Sequence, residues 1–278
     1  SEAANSSGAW LAGAVPHRHA GGKECTSAGL NSNEMLQAKL KAYLLLGVEP
    51  ELDCWDSRAA RTAMHDAELV ISLTAYRSDE IENYADVMLP VSAFVETSGT
   101  YINNEGVSQG FTGAVPPLGE ARPAWKLLRV LGNIFNLDGF EYQSSSDVHN
   151  DVMQIIGDIK ADNMDHWRSP VAAEKNTTDL QRITETPMNM IDSICRRAVS
   201  LQQTDNVSDG AIHINTALAD KNNLNDSDTA KVEQDDSVVN LKVIIDDRVP
   251  DDCVLIQSAH PAQIDLGASF GSIRIGKA

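Results

Sequence analysis

Apolar residues follow two rhythms along this chain. In the first half they form brief unbroken runs: Ala42 to Leu46, Leu69-Val70-Ile71-Ser72-Leu73, and Asp86 to Leu89, which stops at Pro90. Runs this short predict strands buried on both faces, the first of them bounded by Gly47 and Pro50. Between them, Asp56 or Ser57 can cap a helix through about Asp66, and Ser78 and Asp79 begin a short helical link. The alternation of strand and helix implies right-handed crossovers, so the expected fold is α/β with a parallel, doubly wound sheet.

Farther on, the rhythm lengthens. Pro123 is placed to start a helix on which Leu127, Leu128, Leu131, Ile134 and Phe135 share one face, predicted to pack against the sheet with Trp125 and Phe135 as core. Asp147 can cap another helix, striped by Val148, Val152, Ile155, Ile156 and Ile159. From Lys160 to Thr186 the pattern fades, which reads as a connection with one extra helical turn, and Met190, Ile191, Ile194 and Cys195 form a short amphipathic segment. From about Ala211 the period drops to two, with Val239, Leu241, Val243 and Ile245 alternating along a strand, so the tail is a β domain. The expected division is an α/β segment over 1–140, a helical and loop connection over 141–205, and a barrel over 206–278. The stretch from Gln202 to Asp236 is polar enough to be mobile in part.

Charge narrows the function classes. Forty acidic residues against 22 basic ones give a formal net charge of -18. That surface would repel phosphate backbones and anionic lipid alike, which excludes nucleic-acid partners and direct membrane insertion. No apolar run approaches the roughly 20 residues of a spanning helix. Cys25, Cys54, Cys195 and Cys253 are scattered, with no spacing suited to a zinc site or a cluster, and read as free thiols. His17 and His19 read as a solvated loop. A start at Ser1 inside an ongoing α/β pattern is what a piece of a longer protein would show.

The most specific pattern is Ala85-Asp86-Val87-Met88-Leu89-Pro90, followed by Glu96-Thr97-Ser98-Gly99-Thr100 and Asn103-Asn104-Glu105-Gly106-Val107-Ser108-Gln109: a buried strand running into a long polar, glycine-bearing loop. Together these steps resemble the molybdopterin oxidoreductase family. Within it, Leu46-Gly47-Val48-Glu49-Pro50-Glu51 and Gly119-Glu120-Ala121-Arg122-Pro123-Ala124-Trp125-Lys126 resemble the large iron-sulfur subunits of bacterial NADH:quinone oxidoreductases (complex I). The resemblance implies a C-terminal double-psi β-barrel and iron-sulfur clusters outside this stretch. It also implies docking to other peripheral-arm subunits on the cytoplasmic face of the inner membrane.

What the residues lack matters as much. No G-x-G-x-x-G follows a predicted strand, so NADH is not expected to bind here, and no G-x-S-x-G marks a hydrolase. The family's pterin is a polyanion, and Val107 stands where active relatives usually carry arginine. From Ala211 onward, eleven acidic residues face six basic ones. The expectation is therefore a non-catalytic scaffold with no catalytic residues, metal ligands or cofactor of its own. Glu96, Gly99, Thr100, Asn103, Glu105, Gly106 and Gln109 would form a vestigial pterin-side loop, with Glu96 and Glu105 as hydrogen-bonded loop supports. The competing reading is the cofactor-closing part of a catalytic molybdopterin enzyme of the formate dehydrogenase or nitrate reductase type.

Overall fold

The computed structural model describes residues 4–157, 169 and 179–278 of the chain. They fall into two compact units, one taking in 4–31, 71–77 and 87–157, the other 32–70, 78–86 and 179–278.

The α/β part holds helices α1 (Ser6–Leu11) and α2 (Ser32–Gln37), strand β1 (Ala42–Leu46), helices α3 (Pro50–Asp53) and α4 (Ser57–Asp66), β2 (Leu69–Thr74), α5 (Asp79–Tyr84) and β3 (Val87–Pro90). Local chemistry sets the helix starts: the Asp56 carboxylate accepts from Ala59 N at 2.8 Å, and the Ser78 hydroxyl accepts from Ile81 N at 3.2 Å. The three strands form one sheet in the order β1-β2-β3, and β2 and β3 run parallel with Ile71 opposite Val87. The expected burial of β1 on both faces is not what forms. Tyr43 and Leu45 are buried while Leu44 and Leu46 are 51% and 48% exposed, because successive side chains of a strand point to opposite faces and only one face here is covered.

After β3 the chain does not run on as a long polar loop. It folds into an antiparallel hairpin of β4 (Gly99–Ile102) and β5 (Ser108–Phe111), with Tyr101 opposite Gln109. Helix α6 (Ala124–Ile134) follows Pro123 as expected, yet its stripe is covered only in part: Leu127, Leu128 and Leu131 are half-buried, while Ile134 is 65% and Phe135 67% exposed. Only Gly132 is buried on this helix, under the Phe140 ring. Helix α7 (Ser145–Ile156) is capped by Ser144, and the expected cap, Asp147, is instead the third residue, whose carboxylate reaches back to Ser144 N at 2.8 Å. Ile159 and most of the expected connection lie outside the described residues.

The rest forms a seven-stranded sheet in the order β11-β6-β10-β7-β9-β8-β12. Its strands are β6 (Gln181–Ile183), β7 (Ala211–Ile214), β8 (Thr229–Gln234), β9 (Ser237–Ile245), β10 (Cys253–Leu255), β11 (Gly271–Ser272) and β12 (Arg274–Lys277), with α8 (Ser193–Arg197) and α9 (Thr216–Asn222) between them. β6 comes from the stretch expected to be helical and loop connection; a three-residue strand gives too short an alternation to stand out in sequence. The polar stretch 202–236 likewise carries β7, α9 and β8. The two outer strands are separated in the chain only by Ile273, so the sheet curls into a near-barrel around Ile212, Ile214, Val232, Val243, Val254, Ile256 and Leu266. The β7/β9 and β6/β10 pairs are parallel and the others antiparallel.

Candidate functional site

The family-like residues converge on the β4–β5 hairpin. Its turn is built by one side chain: Asn103 Oδ1 accepts from Glu105 N at 3.0 Å and from Val107 N at 2.9 Å. Gly106 sits at φ +80°, a conformation that favours glycine, which lets the chain reverse within the turn. At the other end, Phe111 lies so close to Gly99 that a Cβ there would stand 2.9 Å from the ring. Phe111 also stacks on Tyr101 at 5.1 Å between ring centroids. Glu96 Oε2 accepts from Ala93 N at 3.1 Å, whereas the Glu105, Val107 and Gln109 side chains are exposed.

An open groove of about 830 Å³ runs beside the hairpin. Thr100, Ser108 and Thr112 line it from the hairpin, Trp125 from α6, and Ser145 and His149 from α7; among the described residues no lysine or arginine does. Thr100 Oγ1 and His149 Nδ1 stand 3.5 Å apart, at the outer limit of a hydrogen bond. The arrangement offers hydroxyl and imidazole donors and acceptors and an aromatic wall. Among the described residues no group of three or more His, Cys, Asp or Glu is placed to hold a metal ion, and Cys25, Cys54, Cys195 and Cys253 are all free thiols. His17 and His19 are exposed.

A second constellation escapes sequence reading. Glu49, 3% exposed, accepts from Arg196 Nη2 at 2.8 Å and Nε at 3.0 Å through one oxygen, and from Arg197 Nη2 at 2.5 Å through the other. Asp53 completes the knot, accepting from Glu49 N at 2.7 Å and from both Nη atoms of Arg196 at 2.9 Å. Burial pushes the Glu49 carboxyl up, but the hydrogen bonds and charges of Arg197 and Arg196 outweigh it and hold it below the usual range. Next to it, Glu51 is raised by burial, which outweighs the hydrogen bonds its carboxylate accepts from its own backbone and from the Tyr84 hydroxyl at 3.1 Å. Glu49 and Arg196 lie 147 positions apart, so no spacing could reveal them.

A model of the molybdopterin oxidoreductase family matches residues 8–134. The 78 kDa mitochondrial subunit of NADH-ubiquinone oxidoreductase from Candida albicans is 34% identical over 130 residues, 47% of this chain and 17% of the relative. A subunit of the NADH-quinone oxidoreductase from Streptomyces coelicolor is 36% identical over 112 residues, 39% of this chain and 12% of its own. A nitrate reductase from Shewanella frigidimarina is 25% identical over 136 residues, 48% of this chain and 14% of its own. In fold, the acetylene hydratase from Pelobacter acetylenicus matches 99% of this chain and 51% of its own, with a TM-score of 0.64 at 13% identity. The matched stretches thus span less than a fifth of these curated relatives. Residues 8–134 of this chain thus match the molybdopterin oxidoreductase family, and the proteins it resembles there include subunits of NADH:quinone oxidoreductases.

Proposed function

We propose that this chain is the C-terminal part of the large iron-sulfur subunit of a respiratory NADH:quinone oxidoreductase, where it acts as a scaffold while electrons pass through clusters elsewhere in the subunit. The observation that carries the scaffold reading is the hairpin turn. A pyrophosphate-bearing pterin needs backbone N–H donors and cations to offset its desolvation. Here the Glu105 and Val107 amides are already donated to Asn103, the exposed Glu105 carboxylate repels anions, and no described lysine or arginine lines the adjoining groove. The residues present do not fit such a group.

The curled sheet, with two parallel pairs among antiparallel ones, supports a double-psi barrel. No helix among the described residues is long and apolar enough to cross a membrane, which fits a peripheral-arm subunit docked to its neighbours on the cytoplasmic face.

The test is to purify the intact native assembly containing this chain and measure molybdenum, tungsten, iron and the fluorescent oxidation product of the pterin per polypeptide. Iron without pterin, molybdenum or tungsten is expected. One pterin with its metal per polypeptide would overturn the scaffold reading in favour of the catalytic one.

A further inference from the structure

An exposed aromatic pair stands on the near-barrel unit. Trp55 and Phe270 stack with centroids 5.1 Å apart and planes 21° from parallel, yet they remain 53% and 45% exposed. Two large rings left in solvent are an unfavourable arrangement unless something covers them.

The pair is also held rigidly. Ser269 donates to the Trp55 carbonyl through both its N–H, at 2.9 Å, and its hydroxyl, at 2.8 Å. Asp56 and Ala268 form a β-bridge beside it. The strap 267–269 is fastened from beneath: Gln234 Nε2 donates to Ala268 O at 2.7 Å, and Thr184 Oγ1 donates to Ser269 O at 2.6 Å. Arg182, 4% exposed, gives its Nη1 to Gly267 O and Ala268 O at 3.2 and 3.3 Å. The same Nη1 donates to Gln234 Oε1 at 3.0 Å, and the Asp56 carboxylate offsets part of the burial of the guanidinium, so Arg182 ties the strap, whose next residue is an exposed ring, to β8. Binding surfaces are preorganised in this way.

The surroundings select the occupant. Near the strap and α4 stand Asp56, Asp235, Asp236 and Asp265, against Arg58, which reaches Asp236 at 3.9 Å, and Arg61, paired with Asp265. This acidic rim, on a chain of net charge -18, opposes a second copy, nucleic acid and anionic lipid. An exposed indole on a unit with a surplus of carboxylates near by suits a guanidinium or ammonium. We propose that the Trp55–Phe270 stack is a docking anchor for an arginine- or lysine-bearing segment of a partner protein. The proposal rests on the reading of this chain as one subunit of a larger assembly, and its test does not depend on the pterin measurement.

The probe is the peptide acetyl-Arg-Leu-Arg-Leu-Arg-amide, with its glutamate counterpart as control, titrated into the chain carrying 5-fluorotryptophan at near-physiological salt. Fluorine NMR reads the place and calorimetry the affinity. A saturable shift confined to the Trp55 resonance is expected. Binding should weaken at least tenfold in Trp55→Leu and at least threefold in the Asp235→Asn/Asp236→Asn pair, and stay unchanged in Asp138→Asn. Equal, unsaturable drift of every tryptophan resonance, equal binding by the glutamate peptide, or retained affinity in Trp55→Leu would each overturn the proposal.

Discussion

Replacing Glu49 by glutamine tests whether the buried ionic knot holds the segment around α8 in place. Both Glu49 oxygens accept charged hydrogen bonds, from Arg196 and Arg197, and the Arg196 side chain is 6% exposed. Glutamine removes the charge and turns one acceptor into an N–H₂ group facing a guanidinium. Deleting one partner of a buried pair costs about 3–5 kcal/mol, because the remaining charge is left without compensation. Arg196 keeps Asp53 at 2.9 Å and the Met190 carbonyl at 2.9 Å, which places the expected loss near the lower bound, about 3 kcal/mol. Hydrogen exchange by mass spectrometry resolves this locally without assuming one cooperative transition. Amides in 188–203 should exchange roughly a hundredfold faster in the variant, while those of β8 and β9 change little. The pH dependence adds a sign. A carboxyl held below its usual range stabilises the fold above that range and stops doing so as pH falls through its folded value, so the difference between variant and wild type should shrink in acid. Exchange in 188–203 within threefold of wild type at neutral pH would refute the reasoning.

Three further outcomes follow from neighbouring geometry. Glu51, raised by burial, destabilises as pH rises through its folded value, so Glu51→Gln should leave acid stability unchanged and raise neutral stability in urea unfolding; a loss at pH 7 would contradict it. Gly132→Ala improves helix propensity by about 1 kcal/mol, but the added Cβ would sit 2.3 Å from the Phe140 ring, so a net loss of about 1–2 kcal/mol is expected, relieved in the Gly132→Ala/Phe140→Leu pair. Asn103→Ala leaves the turn amides of Glu105 and Val107 without their acceptor and should cost about 1 kcal/mol; faster exchange limited to 99–111, with Asn103→Asp close to wild type, checks it.

Part of the candidate site is legible in the sequence because its signals are local. Asn103 and Gly106 stand three positions apart, and an asparagine that accepts from its own turn plus a glycine at positive φ are short-range chemistry. The same stretch nevertheless reads as a loop rather than a hairpin, because the pairing of β4 with β5 depends on Phe111 covering Gly99, a contact between its two ends. The α6 stripe misleads for a different reason. Three- and four-residue spacing says which side of a helix could be buried, and it carries no information on whether anything covers that side; Ile134 and Phe135 remain in solvent.

The sequence by itself determined the strand and helix order around β1 to β3, the caps at Asp56 and Ser78, the β character of the tail and the acidic surface, all properties of residues within a few positions of one another or of composition. Only the tertiary structure decided the rest: that Glu49 lies between Arg196 and Arg197, that Arg182 fastens a strap 85 positions away, and that β6 joins the barrel sheet. A buried charge or a three-residue strand is stable only with its partner in contact, and chain closure over such separations leaves no trace in local pattern.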